Sequence, residues 1–184
     1  MSLNVSPTLE NEFVLLSPLT FENHQKLIPV ASQEKLVQYS PSDIYTPETL
    51  RNYVAIALEQ KERKTSIPFI IFDKTKQLYA GSTRYMNINW KNKVLEIGST
   101  WIGKEFQGSG LNTQMKHLMI NHAFKEMGFE KIEFRIDERN VRSRKAVEKL
   151  GGVLEGTLRR NVYLLDGFKR NTCCYGVLKE EWEQ

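Results

Sequence analysis

Cysteine is almost missing from this chain. Cys173 and Cys174 are the only two among 184 residues, and they are adjacent. With no third cysteine to pair with, a disulfide framework is excluded and reduced thiols in a cytoplasmic compartment are expected. Histidine is also scarce. His24, His117 and His122 have no metal-like spacing, and the last two, five apart, would face different sides of a helix. No metal site is therefore expected, since several ligands must converge on one point. No apolar run approaches the ~20 residues of a membrane span. The start, MSLNVSPTLENEF, has neither the basic residues nor the apolar stretch of a signal peptide. Repeats, low-complexity tracts and linkers are lacking too, so residues 1–184 are expected to form one domain with a substantial core.

What is present is an uneven charge. The whole chain carries +4, and the stretch from Phe129 to Arg170, with eleven bases against seven acids, holds all of that excess. Such a segment fits an anionic partner, namely a phosphate-bearing cofactor, a nucleic acid or an acidic protein; it also fits a plain solvated face. No nucleic-acid recognition motif accompanies it, so nucleic acid is not an expected partner.

Periodicity and punctuation give an α+β order. Phe13–Leu16 reads as a strand, and Thr20 as the cap of a short helical stretch, Phe21–Val30. Thr46-Pro47-Glu48 supplies an N-cap, a first-position proline and a first-turn acid for a helix reaching about Glu62. Strands are expected at Ile67–Asp73, Leu78–Ile88 and Val94–Ile102. A glycine-bearing loop then leads to a long amphipathic helix with Leu111, Met115, Leu118, Met119, Ala123 and Met127 at helical spacing, stopped by Gly128. Glu130–Asp137 alternates as a strand, and Asn140 caps a helix over Val141–Leu150. Val153–Leu165 and Phe168–Leu178 should form a hairpin about the turn Asp166-Gly167. Hairpins imply a mostly antiparallel sheet covered by helices.

The segment from Glu96 to Thr113, EIGSTWIGKEFQGSGLNT, runs from strand to glycine-rich loop to helix. Gly108 and Gly110 let backbone amides approach a ligand with no Cβ in the way. The first helical N–H groups are unpaired and the helix dipole adds positive charge, a combination suited to a pyrophosphate. No lysine followed by Ser or Thr comes after these glycines, which rules out a Walker A loop. A dinucleotide GxGxxG would need its last glycine at Thr113. Coenzyme A remains as the candidate ligand.

Gln107, Gly108, Ser109, Gly110, Leu111 and Asn112 resemble motif A of the GNAT acetyltransferases, [QR]xxGx[GA]. Asn140-Val141-Arg142-Ser143 and Leu150-Gly151 resemble motif B. Glu155-Gly156, Asp166-Gly167 and Glu181-Trp182 are similar to the C-terminal pattern of the ribosomal-protein N-terminal acetyltransferase (RimJ/RimL-like) branch. The resemblance extends over Phe13 to Trp182. It implies the GNAT fold and an acetyl-CoA-dependent N-acetyltransferase. In that fold the strand ending near Ile102 splays from Glu130–Asp137, and the pantetheine arm pairs with backbone at Thr100, Trp101 and Ile102. The pyrophosphate would rest on the amides from Gly108 to Thr113, with Asn140 and Ser143 on the other side. Two departures are visible: Asn112 stands at the final Gly/Ala position, and Val147 where many relatives carry a tyrosine acid.

Three catalytic candidates follow. Glu96, beside the implied thioester, reads as a general base acting directly or through water, or else as a structural carboxylate paired with a cation. Ser143, one helical turn before Val147, and Tyr163 are the candidate donors to the departing thiolate. Trp101 walls the acceptor pocket or belongs to the core. Arg142, Arg144 and Lys145 are placed to reach the 3′-phosphate. The acceptor is an amine, of a protein N-terminus or a small molecule, and its identity is not legible. A homodimer is open, since GNAT relatives are often dimers. The competing reading is a catalytically silent GNAT-fold module that senses acyl-CoA.

Overall fold

The computed structural model describes residues 6–182, so the first five residues of the start read above lie outside it. Eight strands form one sheet in the order β1-β2-β3-β4-β5-β6-β8-β7. They are β1 (Leu9–Glu10), β2 (Val14–Pro18), β3 (Ile67–Asp73), β4 (Leu78–Asn89), β5 (Val94–Ile102), β6 (Lys131–Asp137), β7 (Val153–Tyr163) and β8 (Lys169–Leu178). Every neighbouring pair is antiparallel except β5 and β6. The helices are α1 (Ile28–Ala31), α2 (Pro47–Glu62), α3 (Leu111–Lys125), α4 (Val141–Lys149) and α5 (Lys179–Trp182).

Two cores lie on opposite faces. On one face, Met115, Met119 and Ala123 of α3 and Val147 of α4 pack with Leu95, Ile97, Ile132, Phe134 and Tyr175 of the sheet. On the other, Leu50, Tyr53 and Val54 of α2 and Val30 and Ala31 of α1 pack with Ile70 and Trp101. Trp101 is therefore a core residue, 4% exposed and edge-on to Tyr53 at 6.2 Å. α2 starts where its cap residues place it: Thr46 accepts from the Thr49 amide at 3.1 Å, and Thr49 Oγ1 accepts from the Thr46 amide at 3.0 Å.

Three local expectations change. The stretch from Phe21 to Val30 is not one helix. Thr20 Oγ1 accepts from the amides of Glu22 and Asn23, both at 3.2 Å, and a 3-10 turn over His24–Leu27 precedes the single turn α1. The final hairpin has a wider loop than a two-residue turn. Its strands stop at Tyr163 and resume at Lys169, with the Leu164 amide donating to the Phe168 carbonyl at 2.9 Å. The two-residue strand β1 and the short α5 are additions.

The feature that makes the site is a bulge in β5. Ser82 pairs with Trp101 and Arg84 with Gly98, so Ser99 and Thr100 together oppose Thr83, and Ser99 takes a φ of 46°. The parallel ladder with β6 covers only Val94, Leu95 and Glu96 against Lys131, Ile132 and Glu133. Beyond Glu96 the two strands part.

Candidate active site

The gap between β5 and β6 has the α3 N-terminus beside it. Gly108 and Gly110 have φ values of 80° and 89°, conformations open to glycine, and a Cβ built on either meets no atom within 4 Å. The Leu111 amide donates to Ser109 Oγ at 3.3 Å, while the Gln114 amide is the first to reach back to Gly110 O, at 3.1 Å. The amides of Asn112 and Thr113 thus have no acceptor among the described residues. Unpaired N–H groups at the positive end of a 15-residue helix, under open space, suit a diphosphate.

Gln107 has a structural task. Its Nε2 donates to Ile102 O at 3.0 Å and its Oε1 accepts from Arg142 Nη1 at 2.6 Å, tying the end of β5 to the start of α4. Arg144 is likewise engaged, by Tyr175 Oη at 3.0 Å and Glu138 O at 3.1 Å. Of the three bases placed for a 3′-phosphate, Arg142 and Arg144 make these protein contacts, and Arg142 and Lys145 are exposed. Asn140 caps α4 by accepting from the Ser143 amide at 3.2 Å. The Ser143 side chain is half-buried, and its hydroxyl has no hydrogen-bond partner among the described residues. Val147 is a core residue, so no hydroxyl stands at that point.

Glu96 is the last β5 residue paired with β6, and it is 6% exposed. Its side chain points to the α2 face, opposite to the neighbouring core residues Leu95 and Ile97. Asn87, held at a φ of 49°, donates to Glu96 Oε2 at 2.7 Å, and Arg135 Nε lies 3.7 Å from the same oxygen. Burial raises the carboxyl pKa above the ordinary range, and the Asn87 hydrogen bond and Arg135 only partly offset it. Gly98 is what leaves room for this carboxylate: a Cβ there would sit 2.9 Å from Glu96 Oε1 and 2.7 Å from Met86 Sδ.

Tyr163 stands apart. It is 63% exposed at the end of β7, on the rim of a cavity of about 530 Å³ shared with Asp137, Arg139 and Phe168, and Lys169 Nζ lies 4.6 Å over its ring. In the sheet order β7 is three places from β5. Cys173 is buried and Cys174 half-buried, both as free thiols. Among the described residues no group of three His, Cys, Asp or Glu could hold a metal, and no helix is long and apolar enough to cross a membrane.

Two site residues escaped the sequence reading. One is Gly98. The other is Lys116 on α3, 5% exposed, whose Nζ donates to Thr100 Oγ1 at 2.8 Å. A lysine at an unremarkable helical position carries no signal of burial. Gly98 was hidden because its constraint comes from a side chain two residues away.

A strand pair that parts beside a helix N-terminus able to hold a diphosphate defines an acyl-CoA-binding acyltransferase. Residues 14–153 match the family model of the acetyltransferase (GNAT) domain, and the chain belongs to that family. Within that family its motifs resemble those of the RimJ/RimL-like branch. A Bacillus subtilis (strain 168) protein named "Putative ribosomal N-acetyltransferase YdaF" is 34% identical over 110 residues, covering 58% of this chain and 59% of its own length. A solved structure from T. thermophilus, described as a "putative acetyltransferase", is 31% identical with a TM-score of 0.85, over 96% of this chain and 91% of the other. The fold is also that of Mycobacterium smegmatis RimJ in complex with CoA-disulfide, at a TM-score of 0.81 and 20% identity, over 97% of this chain and 89% of RimJ.

Proposed function

We propose that the protein moves an acetyl group from acetyl-CoA to the α-amino group of a protein N-terminus in the cytoplasm, by direct attack of the amine on the thioester. The observation that carries the reading is the parting of β5 and β6 immediately after a buried carboxylate. Acetyl-CoA supplies the activated acyl group. The amides of Asn112 and Thr113 hold the diphosphate, and the β6-facing backbone of Thr100 and Ile102, left without a ladder partner, orients the pantetheine arm. Glu96 takes the proton of the incoming ammonium, directly or through one water. Its raised pKa brings it closer to an α-amino group near ~8, which makes the transfer less uphill. Ser143, at the N-terminal turn of α4, donates its hydroxyl to the departing sulfur. A protein acceptor is favoured because YdaF is named for ribosomal acetylation, and a Vibrio fischeri structure of similar fold is a ribosomal-protein-S5-alanine acetyltransferase.

The test is thiol release from acetyl-CoA with a panel of peptides of varied N-terminal residue, with small polyamines and amino acids alongside. Turnover on peptides above the small amines is expected. Binding of coenzyme A without thiol release from any amine would instead mark the silent acyl-CoA sensor.

A further inference from the structure

Lys116 is a buried cation without a carboxylate. No acidic oxygen lies within 4 Å of its Nζ among the described residues, and its one hydrogen bond goes to Thr100 Oγ1. Thr100 Oγ1 in turn lies 2.7 Å from Thr83 Oγ1. An ammonium has three N–H groups, so two are left over in a site shielded from water. Burying such a group unpaired is costly, and an acceptor is called for.

Where those spare donors stand is informative. Thr100 belongs to the bulged part of β5, past the last pair with β6, and the Phe134 ring, 5.7 Å from Nζ, belongs to β6. The amine therefore bridges the gap at the level where the strands part. It does so from the face packed by α3 and α4, while Glu96 stands on the α2 face. The charged group that acts on it is Glu96 on β5; Glu133 and Arg135 on β6 and Arg170 on β8 stand around Glu96. On α4, Arg142 and Arg144 are engaged elsewhere. Burial lowers the Lys116 pKa to about 7, and the Glu96 carboxylate across the gap pulls it back up in part.

We propose that Lys116 Nζ binds the sulfur end of coenzyme A and gives it a proton as the acyl group leaves. This rests on the proposed acetyl transfer and assigns it a second donor. As the acceptor nitrogen bonds the acyl carbon, the carbon–sulfur bond breaks and its electron pair stays on sulfur. A Lys116 N–H proton passes to sulfur, leaving a free thiol and a neutral amine. The acceptor sheds two protons: Glu96, on the other face, takes the ammonium proton and passes it to solvent before attack, then takes and holds the second as the amide forms. One proton moving from Glu96 to Lys116, through water, restores both groups. Ser143 then orients the sulfur with a neutral hydroxyl, and Lys116 supplies the charge.

The prediction can be read without any acceptor. The thiol of bound coenzyme A is titrated by its thiolate ultraviolet absorbance, as a difference against protein with S-methyl coenzyme A to cancel Cys173, Cys174 and the tyrosines. In the wild-type complex the thiol should ionise at lower pH than in free coenzyme A. Lys116→Met should raise that midpoint by about one pH unit or more, the size of a nearby opposite charge. Should Lys116→Met fail to fold, Lys116→Gln carries the same expectation, because it also removes the charge. An unchanged midpoint in a folded variant that binds coenzyme A overturns the Lys116 assignment and leaves acetyl transfer standing. No binding of coenzyme A by the wild type would overturn both.

Discussion

Replacing Glu96 by Gln separates a catalytic carboxylate from a structural one, because the two roles predict opposite effects on stability. The amide keeps the shape and still accepts from Asn87 Nδ2, which lies 2.7 Å from Glu96 Oε2. Arg135 stands at 3.7 Å with its side chain 43% exposed, so water can solvate it when the carboxylate is gone. What the substitution removes is a buried negative charge. Burial raises the folded-state pKa of Glu96, so its stabilising contribution is complete below the unfolded value and is lost as pH rises through the raised one. At neutral pH and above, then, the ionised carboxylate disfavours folding, and Glu96→Gln should keep or increase the melting temperature. Activity should move the other way. At pH about 6, where an α-amino group of pKa ~8 is mostly protonated, loss of a general base lowers kcat/KM by roughly 10²- to 10⁴-fold. The deficit should shrink as pH passes ~8 and the amine arrives already neutral. The assay is a pH profile of thiol release for both proteins, with thermal unfolding at the same pH values. A uniform loss across pH, or a drop in melting temperature at pH 8, would refute the reasoning; no loss of rate would remove Glu96 from the site.

Other substitutions test the parts that surround it. Gly98→Ala places a Cβ 2.9 Å from Glu96 Oε1 and 2.7 Å from Met86 Sδ, so it should mimic the loss of Glu96 in rate while coenzyme A titration by calorimetry stays near wild type. Gly110→Val puts a branched side chain into the diphosphate space at a φ of 89°; coenzyme A affinity should fall at least about tenfold, ~1.4 kcal/mol. Ser143→Ala should leave affinity nearly intact and lower kcat by roughly 10- to 100-fold. Tyr163→Phe is its control, and a crippled Tyr163→Phe beside an active Ser143→Ala would transfer the donor role to the hairpin.

Much of the frame was legible because it is encoded locally. The α2 start is a Thr-Pro-Glu punctuation with the Thr49 hydroxyl completing the cap, and the loop at Gly108 and Gly110 announces an open backbone before a helix. What could not be read depends on partners distant in sequence. The stretch from Phe21 looked helical, yet Thr20 satisfies its first amides with side-chain bonds, and only a 3-10 turn and a single α-helical turn follow. The Asp166-Gly167 pair marked the hairpin but not its width, which is set by the Leu164–Phe168 bond. Nothing in the sequence singles out Lys116, because its burial is decided by Thr100 and Phe134, on two strands.

The least visible feature, one surplus residue in β5, organises the rest. Side chains alternate faces along a strand, so Glu96 and Trp101, five apart, would point to opposite sides of an unbroken one. Placing Ser99 and Thr100 together against Thr83 shifts the phase by one. Trp101 thereby joins the α2 core on the same face as Glu96, while Thr100 is turned toward Thr83 and Lys116 on the α3 face. The same kink leads β5 away from β6 just past Glu96. Gly81, at a φ of 153°, accepts the kinked strand, since a Cβ there would run into the Trp101 carbonyl. A base on one face, a cation on the other and an opening between them thus share one cause. Deleting Ser99 separates the kink from the side-chain placement. Glu96 and Trp101 become four apart and stay on one face, and Thr100 still opposes Thr83. The α2 core should therefore stand while the opening beside β6, and with it coenzyme A affinity, is lost.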